Sequence, residues 1–442
     1  MTQDNFTRDS VSRLFFKYLF PSIMGMLVTS IYILADTIVI GKGIGIDALA
    51  ALNIILPVFN VFFGIGLLYG VGGSVLMSVA RGRGDVKAGW NYFTVALILN
   101  LVTSIICTAL LLLYMEPLCR LLGASDITMP YVREYAPYVI CGLSAFSFSS
   151  FLQTFVRNDG APRLAMAGVI TGGVLNIILD IVFVFPLDMG MRGAAIASVI
   201  GAATTALIVS FHFFSKKNGL RLSLCGFSSK EIWSIFQTGF VSFIIEICSG
   251  VLMFLFNIQL LRYVGEVGVS VYSVICNVAI IFICLCNGIT QAAQPIISTN
   301  YGAGLFDRIY KVRRLGVFTA GGICLLPTLA GLIAPNVFPY IFLNPDAKIL
   351  ALSSDAIRIY FLAFVFLGIN LFIVGYFQST LKPQISLMLC LLRGLLLSGL
   401  FVLTLPLFMG VNGIWMAVPL AELCTLLIAI LFLNKLKREE SK

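Results

Sequence analysis

The sequence predicts an all-α polytopic membrane protein: about twelve transmembrane helices in two six-helix lobes, related by a pseudo-twofold axis along the membrane normal. Three observations carry that expectation. The 442 residues are 59% hydrophobic and 11% charged, with a mean hydropathy of +1.01, too apolar for a soluble chain of this length. Apolar runs recur along the whole chain, each near or above the roughly 20 residues that a membrane-spanning helix needs. Segments of the first half also reappear in the second at an offset of 220.

The runs follow in order. The first, 14–41, comes after a polar start, MTQDNFTRDS, is too long for a signal peptide and has no small-residue cleavage site, so it is expected to stay as a helix; it contains Pro21 and Asp36. The second, 48–79, carries Asn53 and Pro57 and then Gly64, Gly66, Gly70, Gly72 and Gly73, which permit close approach or bending. The third, 90–115, holds Cys107, and the fourth, 130–155, contains Pro137 and leads into the loop FVRNDGAPR. The fifth, 163–185, contains NIILD, with Asn176 and Asp180 one helical turn apart. The sixth, 192–214, carries Ser198 and ends at His212.

The seventh run, 231–262, sets Glu246 on a polar stripe with Ser242, Ser249, Gly250, Met253 and Asn257. In the eighth, 268–297, Asn287, Gln291 and Gln294 share one face beyond Asn277. The ninth, 312–335, includes Pro327, and the tenth, 349–378, has Asp355 near its outer end. Arg393 lies in the eleventh, 384–407, and Glu422 with Pro419 in the twelfth, 412–433. Each internal proline removes a backbone hydrogen bond and can kink its helix.

Basic residues set the orientation, because they gather in cytoplasmic loops. With the N-terminus inside, twenty-one lysines and arginines fall in inner segments, seven in outer ones, and Arg393 alone inside a run. Both termini are then cytoplasmic. The net charge of +9 is scattered over loops without aromatic interleaving, which argues against nucleic acid as a partner. Of eleven cysteines, most lie within apolar runs and none forms CxxC, so small apolar packing accounts for them. His212 is the only histidine and has no second ligand for zinc. No cofactor is expected, and no HExxH or other enzyme motif occurs.

The repetition is specific. FPLDMGMRGAAIA (185–197) matches LPLFMGVNGIWMA (405–417), GRG at 82 falls on GAG at 302, and Gly45 on Gly265. Six helices per half is an even number, so the halves run in the same direction. The expected division is 1–214 for the N-lobe, 215–230 for a polar cytoplasmic linker and 231–442 for the C-lobe. A cleft between two such lobes suits alternating access better than a pore.

Charges inside membrane runs cost about 2.5–3.5 kcal/mol each at a helix centre, so each needs a reason. Asp36 and Asp180 both lie about six residues inside an outer turn, roughly 9 Å below the helix ends. Reflection through those turns brings Ser198 level with Asp180 and places Asn53 near Asp36. Asp36, Asn176, Asp180 and Ser198 are therefore expected to converge as oxygen ligands for a small cation, or as a carboxylate pair that shares a proton; the alternative is helix glue by hydrogen bonds. Glu246, Asn257, Asn287 and Gln291, with Asn53, are candidates to line a substrate cleft, a helix-packing network being the alternative. Arg393 and Glu422 are equidistant from the 406–412 turn and are expected to form a structural ion pair.

ADTIVIGKGIG (35–45), the P-x2-N element at 57–60, FVRNDGAPR (155–163) and GGVLNIILD…GMRGAAIAS (172–198) resemble the multidrug and toxic compound extrusion (MATE) family, DinF-like and MepA-like prokaryotic branches, over essentially the whole chain. The resemblance implies a monomeric, secondary active multidrug exporter, which exchanges cationic or amphipathic compounds for H+ or Na+. It implies a cation site at Asp36, Asn176, Asp180 and Ser198, a bending proline at Pro21 and, in some branches, a C-lobe site whose seventh-helix glutamate is Glu246. The tenth run offers no matching aspartate at depth, which favours coupling in the N-lobe. An alternative is a flippase for lipid-linked saccharides, although such a protein lines its cleft with several cations and only Arg393 lies within a run.

Overall fold

The computed structural model describes residues 6–223, 228–342 and 347–440, and every apolar run among them is helical, with no strand in the described residues. Nine spans are single helices over most of their length: Val11–Gly43, Ile46–Gly82, Val86–Leu113, Met129–Asn158, Pro162–Val184, Gly190–Ser210, Ser229–Tyr263, Glu266–Gly302 and Phe306–Ile333. The tenth is broken into Ala347–Tyr360 and Ala363–Ser379, which meet at a 41° bend. The eleventh begins at Pro383 and passes through a π turn at Leu392–Leu396, and the twelfth is Val411–Glu440. Helix satisfies every backbone donor inside the segment, which hydrocarbon demands. The first helix runs unbroken through Pro21.

The repeat is written into the backbone. Left-handed or otherwise positive φ occurs at Gly45 and Gly265, at Gly84 and Gly304, and at Gly190 and Gly410, each pair 220 apart; Gly160 (φ 93°) answers to Leu381 (φ 54°). These are the turns between spans, where the chain needs a conformation that a Cβ makes costly. A short helix follows the third span (Met115–Leu121), and another follows the ninth (Val337–Phe342).

Two compact units result. One takes in Phe20–Phe243 and the other Ile244–Lys442 together with Ser10–Leu19 of the first helix. The first unit has a core around Phe62, Val132, Tyr135, Leu143 and Met191; the second has one around Phe256, Tyr272, Phe361, Phe364 and Trp415. Large apolar side chains such as Ile105, Phe254 and Leu326 remain exposed along the spans, an arrangement that lipid satisfies and water does not. The chain is a multi-pass membrane protein.

Candidate functional site: a buried carboxylate pair in the first unit

Two adjacent glycines bring the fifth helix against two partners at once. A Cβ on Gly172 would run into Thr205 and the Gly201 carbonyl of the sixth helix, whereas one on Gly173 would press on Val28 and Tyr32 of the first. The absence of side chains there lets the sixth helix approach to backbone distance and makes room for the Val28 and Tyr32 side chains of the first. One turn further along the same helix stand Asn176 and Asp180, which therefore face a narrow space between the first, fifth and sixth helices.

Asp36 enters this space from the first helix and lies beside Asp180. Asn176 flanks Asp180 and donates from Nδ2 to Ser198 Oγ over 3.4 Å. Asp180 is 0% exposed and Asn176 3%. The structure thus joins Asp36, Asn176, Asp180 and Ser198 in one group, with Asn176 and Asp180 buried and Asp36 and Ser198 partly buried. Tyr135 of the fourth helix completes it: its hydroxyl lies beside Ser198 and near both carboxylates, and the side chain is wholly buried.

The electrostatics of the group are unbalanced. Asp36 Oδ1, both carboxylate oxygens of Asp180, Asn176 Oδ1 and the Tyr135 hydroxyl are all buried and find no hydrogen-bond partner in the protein. Four acceptor oxygens of this kind, three of them on two neighbouring carboxylates, are tolerable in hydrocarbon only with a proton or a cation among them. No cluster of three or more His, Cys, Asp or Glu occurs among the described residues. The donor set is instead two carboxylates, an amide and hydroxyls, hard oxygens that suit a proton or a small hard cation and offer nothing to a soft metal.

The other candidates lie elsewhere. Asn53, placed near Asp36 by reflection, is exposed and stands outside the buried group. Glu246 and Asn257 on the seventh helix, and Asn287 and Gln291 on the eighth, are each partly buried. In the second unit Arg393 donates to Glu422 through two nitrogens, at 2.5 and 3.3 Å, and Asn370 Nδ2 donates both to Glu422 Oε2 (2.7 Å) and to its main-chain oxygen (2.8 Å). Both carboxylate oxygens of Glu422 therefore have donors within the protein.

Comparison with known proteins bears on the family and the fold. A family model described as MatE matches residues 21–182 and 240–403, one stretch in each half. The multidrug export protein MepA of Staphylococcus saprophyticus is 25% identical over 436 residues, covering 98% of this chain and 95% of the relative. MepA of Staphylococcus aureus strain N315 is 22% identical over 434 residues, with the same coverage. An outward-facing structure of a multidrug-resistance MATE family transporter of the MOP superfamily superposes with a TM-score of 0.92, at 23% identity and over 100% of both chains. A MOP superfamily transporter from Pyrococcus furiosus, described as having a binding pocket of reversed polarity that suggests a different function, superposes with the same TM-score at 22% identity.

Proposed function

The chain belongs to the MatE family of transporters, and from that premise we propose that it is a secondary active exporter of cationic or amphipathic compounds, exchanging them for H+ or Na+ by alternating access of its two lobes. It is a transporter and not an enzyme. Relatives that share nearly its full length are named multidrug export proteins, and export of several drugs is the activity we assign. In our reading it works as a monomer in a prokaryotic plasma membrane with both termini cytoplasmic, the orientation favoured by the surplus of basic residues in the inner segments.

The observation that carries the coupling is the pair Asp36 and Asp180, buried side by side with acceptor oxygens that no protein donor meets. An ion entering that space neutralises the pair; an ion leaving restores its charge. One charge moving inward across 100 mV releases about 2.3 kcal/mol. It drives export only if ion and drug favour opposite conformations, and a carboxylate that either binds the ion or attracts a cationic drug supplies that difference. Asn176 and Ser198 complete the ion's oxygen shell. Pro21, which deprives the first helix of one hydrogen bond fifteen residues before Asp36, is where that helix bends as the site changes charge. Asn53, Glu246, Asn257, Asn287 and Gln291 contribute to drug binding.

The test is dye efflux from a pump-deficient bacterial host, paired with everted vesicles in which dye addition is followed by the pH gradient, with and without Na+. Ion release that requires both dye and Asp180 supports antiport at this site. Full efflux by both Asp36→Asn and Asp180→Asn sinks the assignment. Wild type that moves no dye turns attention to lipid-linked saccharides as cargo.

A further inference from the structure

The charged groups left unused by the export reading gather at the other end of the first unit, where the second, fourth and sixth helices finish. Asp159, just past the fourth helix, has a carboxylate with no solvent exposure, and three donors converge on it. Arg81, from the end of the second helix, forms an ion pair with Oδ1. His212, 1% exposed and two residues beyond the sixth helix, donates from Nε2 to Oδ2 at 2.6 Å. The third donor is the backbone N–H of Gly219, at 2.8 Å.

Gly219 belongs to the segment that joins the two repeats, and it is gripped from both sides. Its carbonyl accepts from Arg81 Nη2 at 2.7 Å and from the indole N–H of Trp90 at 2.9 Å. A Cβ at this position would stand 2.7 Å from Asp159 Oδ1 and 3.0 Å from Arg81 Nη2, so only glycine threads between them. The neighbours are fastened too. Leu220 is buried, Arg221 lies over the Trp90 ring at 5.3 Å, and the Ser223 N–H donates to Thr94 Oγ1 at 2.8 Å.

A free tether makes no such contacts. Here a carboxylate removed from water depends on a strap residue for one of its three donors, so lifting the strap strands part of a buried charge. The second repeat lacks these charges: Tyr301 stands for Arg81 at an offset of 220, and Thr380 for Asp159 at 221, the offset that also relates Gly160 to Leu381.

We propose that Asp159, Arg81 and His212 form a latch that clamps the strap 215–223 to the end of the first unit, and that this latch limits how far the connection between the repeats moves during transport. The transport half of the proposal rests on the export reading; the clamp does not.

Trypsin tests the clamp on the purified full-length protein. Lys216 and Lys217 lie between the anchors His212 and Gly219, and a protease cleaves there only when the strap lifts. Wild type is expected to resist cleavage at these two sites, located by mass spectrometry, whereas Asp159→Asn is cut about tenfold faster or more. Gly219→Ala makes the same test without removing a charge, and carries it if Asp159→Asn does not fold. Thermal unfolding of each variant, measured alongside, separates strap release from general loosening. Equal cleavage rates in wild type and Gly219→Ala overturn the clamp. Faster cleavage with dye efflux unchanged from wild type overturns the transport half. Wild type that exports no dye removes the export reading and leaves the proteolysis result standing.

Discussion

The two repeats share a backbone plan and treat membrane-buried charge in opposite ways. In the first, Asp36 and Asp180 face each other with acceptor oxygens that no donor in the protein meets. At the same places in the second stand Phe256, Leu400 and, for Asn176 and Ser198, Leu396 and Val418, all apolar, with Phe256 and Val418 buried and Leu396 and Leu400 exposed. Phe256 there stacks on Tyr272 with ring centroids 4.9 Å apart. The second repeat has its charge elsewhere, where Arg393 and Asn370 both donate to the Glu422 carboxylate. A charge with its counterion built in is fixed, and one without waits for something mobile. On that difference rests our proposal that the first repeat exchanges the ion and that the Arg393–Glu422 pair of the second is structural.

The comparison breaks most completely at the unpaired site. Asp180→Asn or Asp36→Asn is expected to reduce dye efflux to the background of the host, while membrane insertion and thermal stability stay close to wild type, because neutralising one carboxylate relieves repulsion instead of stranding a partner. A strong drop in stability with residual efflux would make the pair a structural one. The paired site should respond in the reverse sense. Arg393→Met leaves Glu422 buried without its cation and is expected to cost about 3–5 kcal/mol, read as a lower unfolding temperature; joint replacement of Arg393 and Glu422 by leucine should recover most of it. Asn370 keeps its bond to the main-chain oxygen at 422 in that double variant.

Smaller changes sharpen the contrast. Asn176→Ala together with Ser198→Ala leaves both carboxylates and removes two oxygens, and is expected to raise the Na+ or H+ concentration needed for half-maximal efflux about three- to tenfold. An unchanged concentration dependence would confine the ion to the carboxylates. At the turn where Gly160 and Leu381 correspond, Leu381→Gly should be tolerated, with a gain of about 1 kcal/mol or less, since a left-handed leucine is strained where its counterpart is not. Loss of stability on that change would mean that the Leu381 side chain repays the strain by its contacts.

Much of this was legible before any coordinates, because in a bilayer the length of an apolar run marks a span directly. The breaks were not. Nothing in the hydropathy of the tenth run announces the bend near Phe361 and Leu362, nor does that of the eleventh announce the π turn at Leu392–Leu396, beside which the Ser398 hydroxyl donates to the Arg393 carbonyl five residues back. Reflection through hairpin turns joined Asp36, Asn176, Asp180 and Ser198, because depth in a hairpin follows from counting. It overlooks Tyr135, which lies on the fourth helix and shares no hairpin with the sixth, and it leaves open which way Asn53 faces, because depth says nothing about side-chain direction. His212 looked solitary for a related reason, as its partner Asp159 lies fifty-three residues away in the chain.

The positive-φ corners have a further consequence, in terms of ancestry. A duplicated gene drifts apart one letter at a time, and across most of the membrane any apolar letter will serve, so resemblance between the halves fades quickly there. A left-handed corner admits few occupants, and it pins the length of every span between it and the next. Gly45 with Gly265, Gly84 with Gly304 and Gly190 with Gly410 are therefore the slowest part of the record, and Leu381 is a corner where the letter has changed while the shape has been inherited.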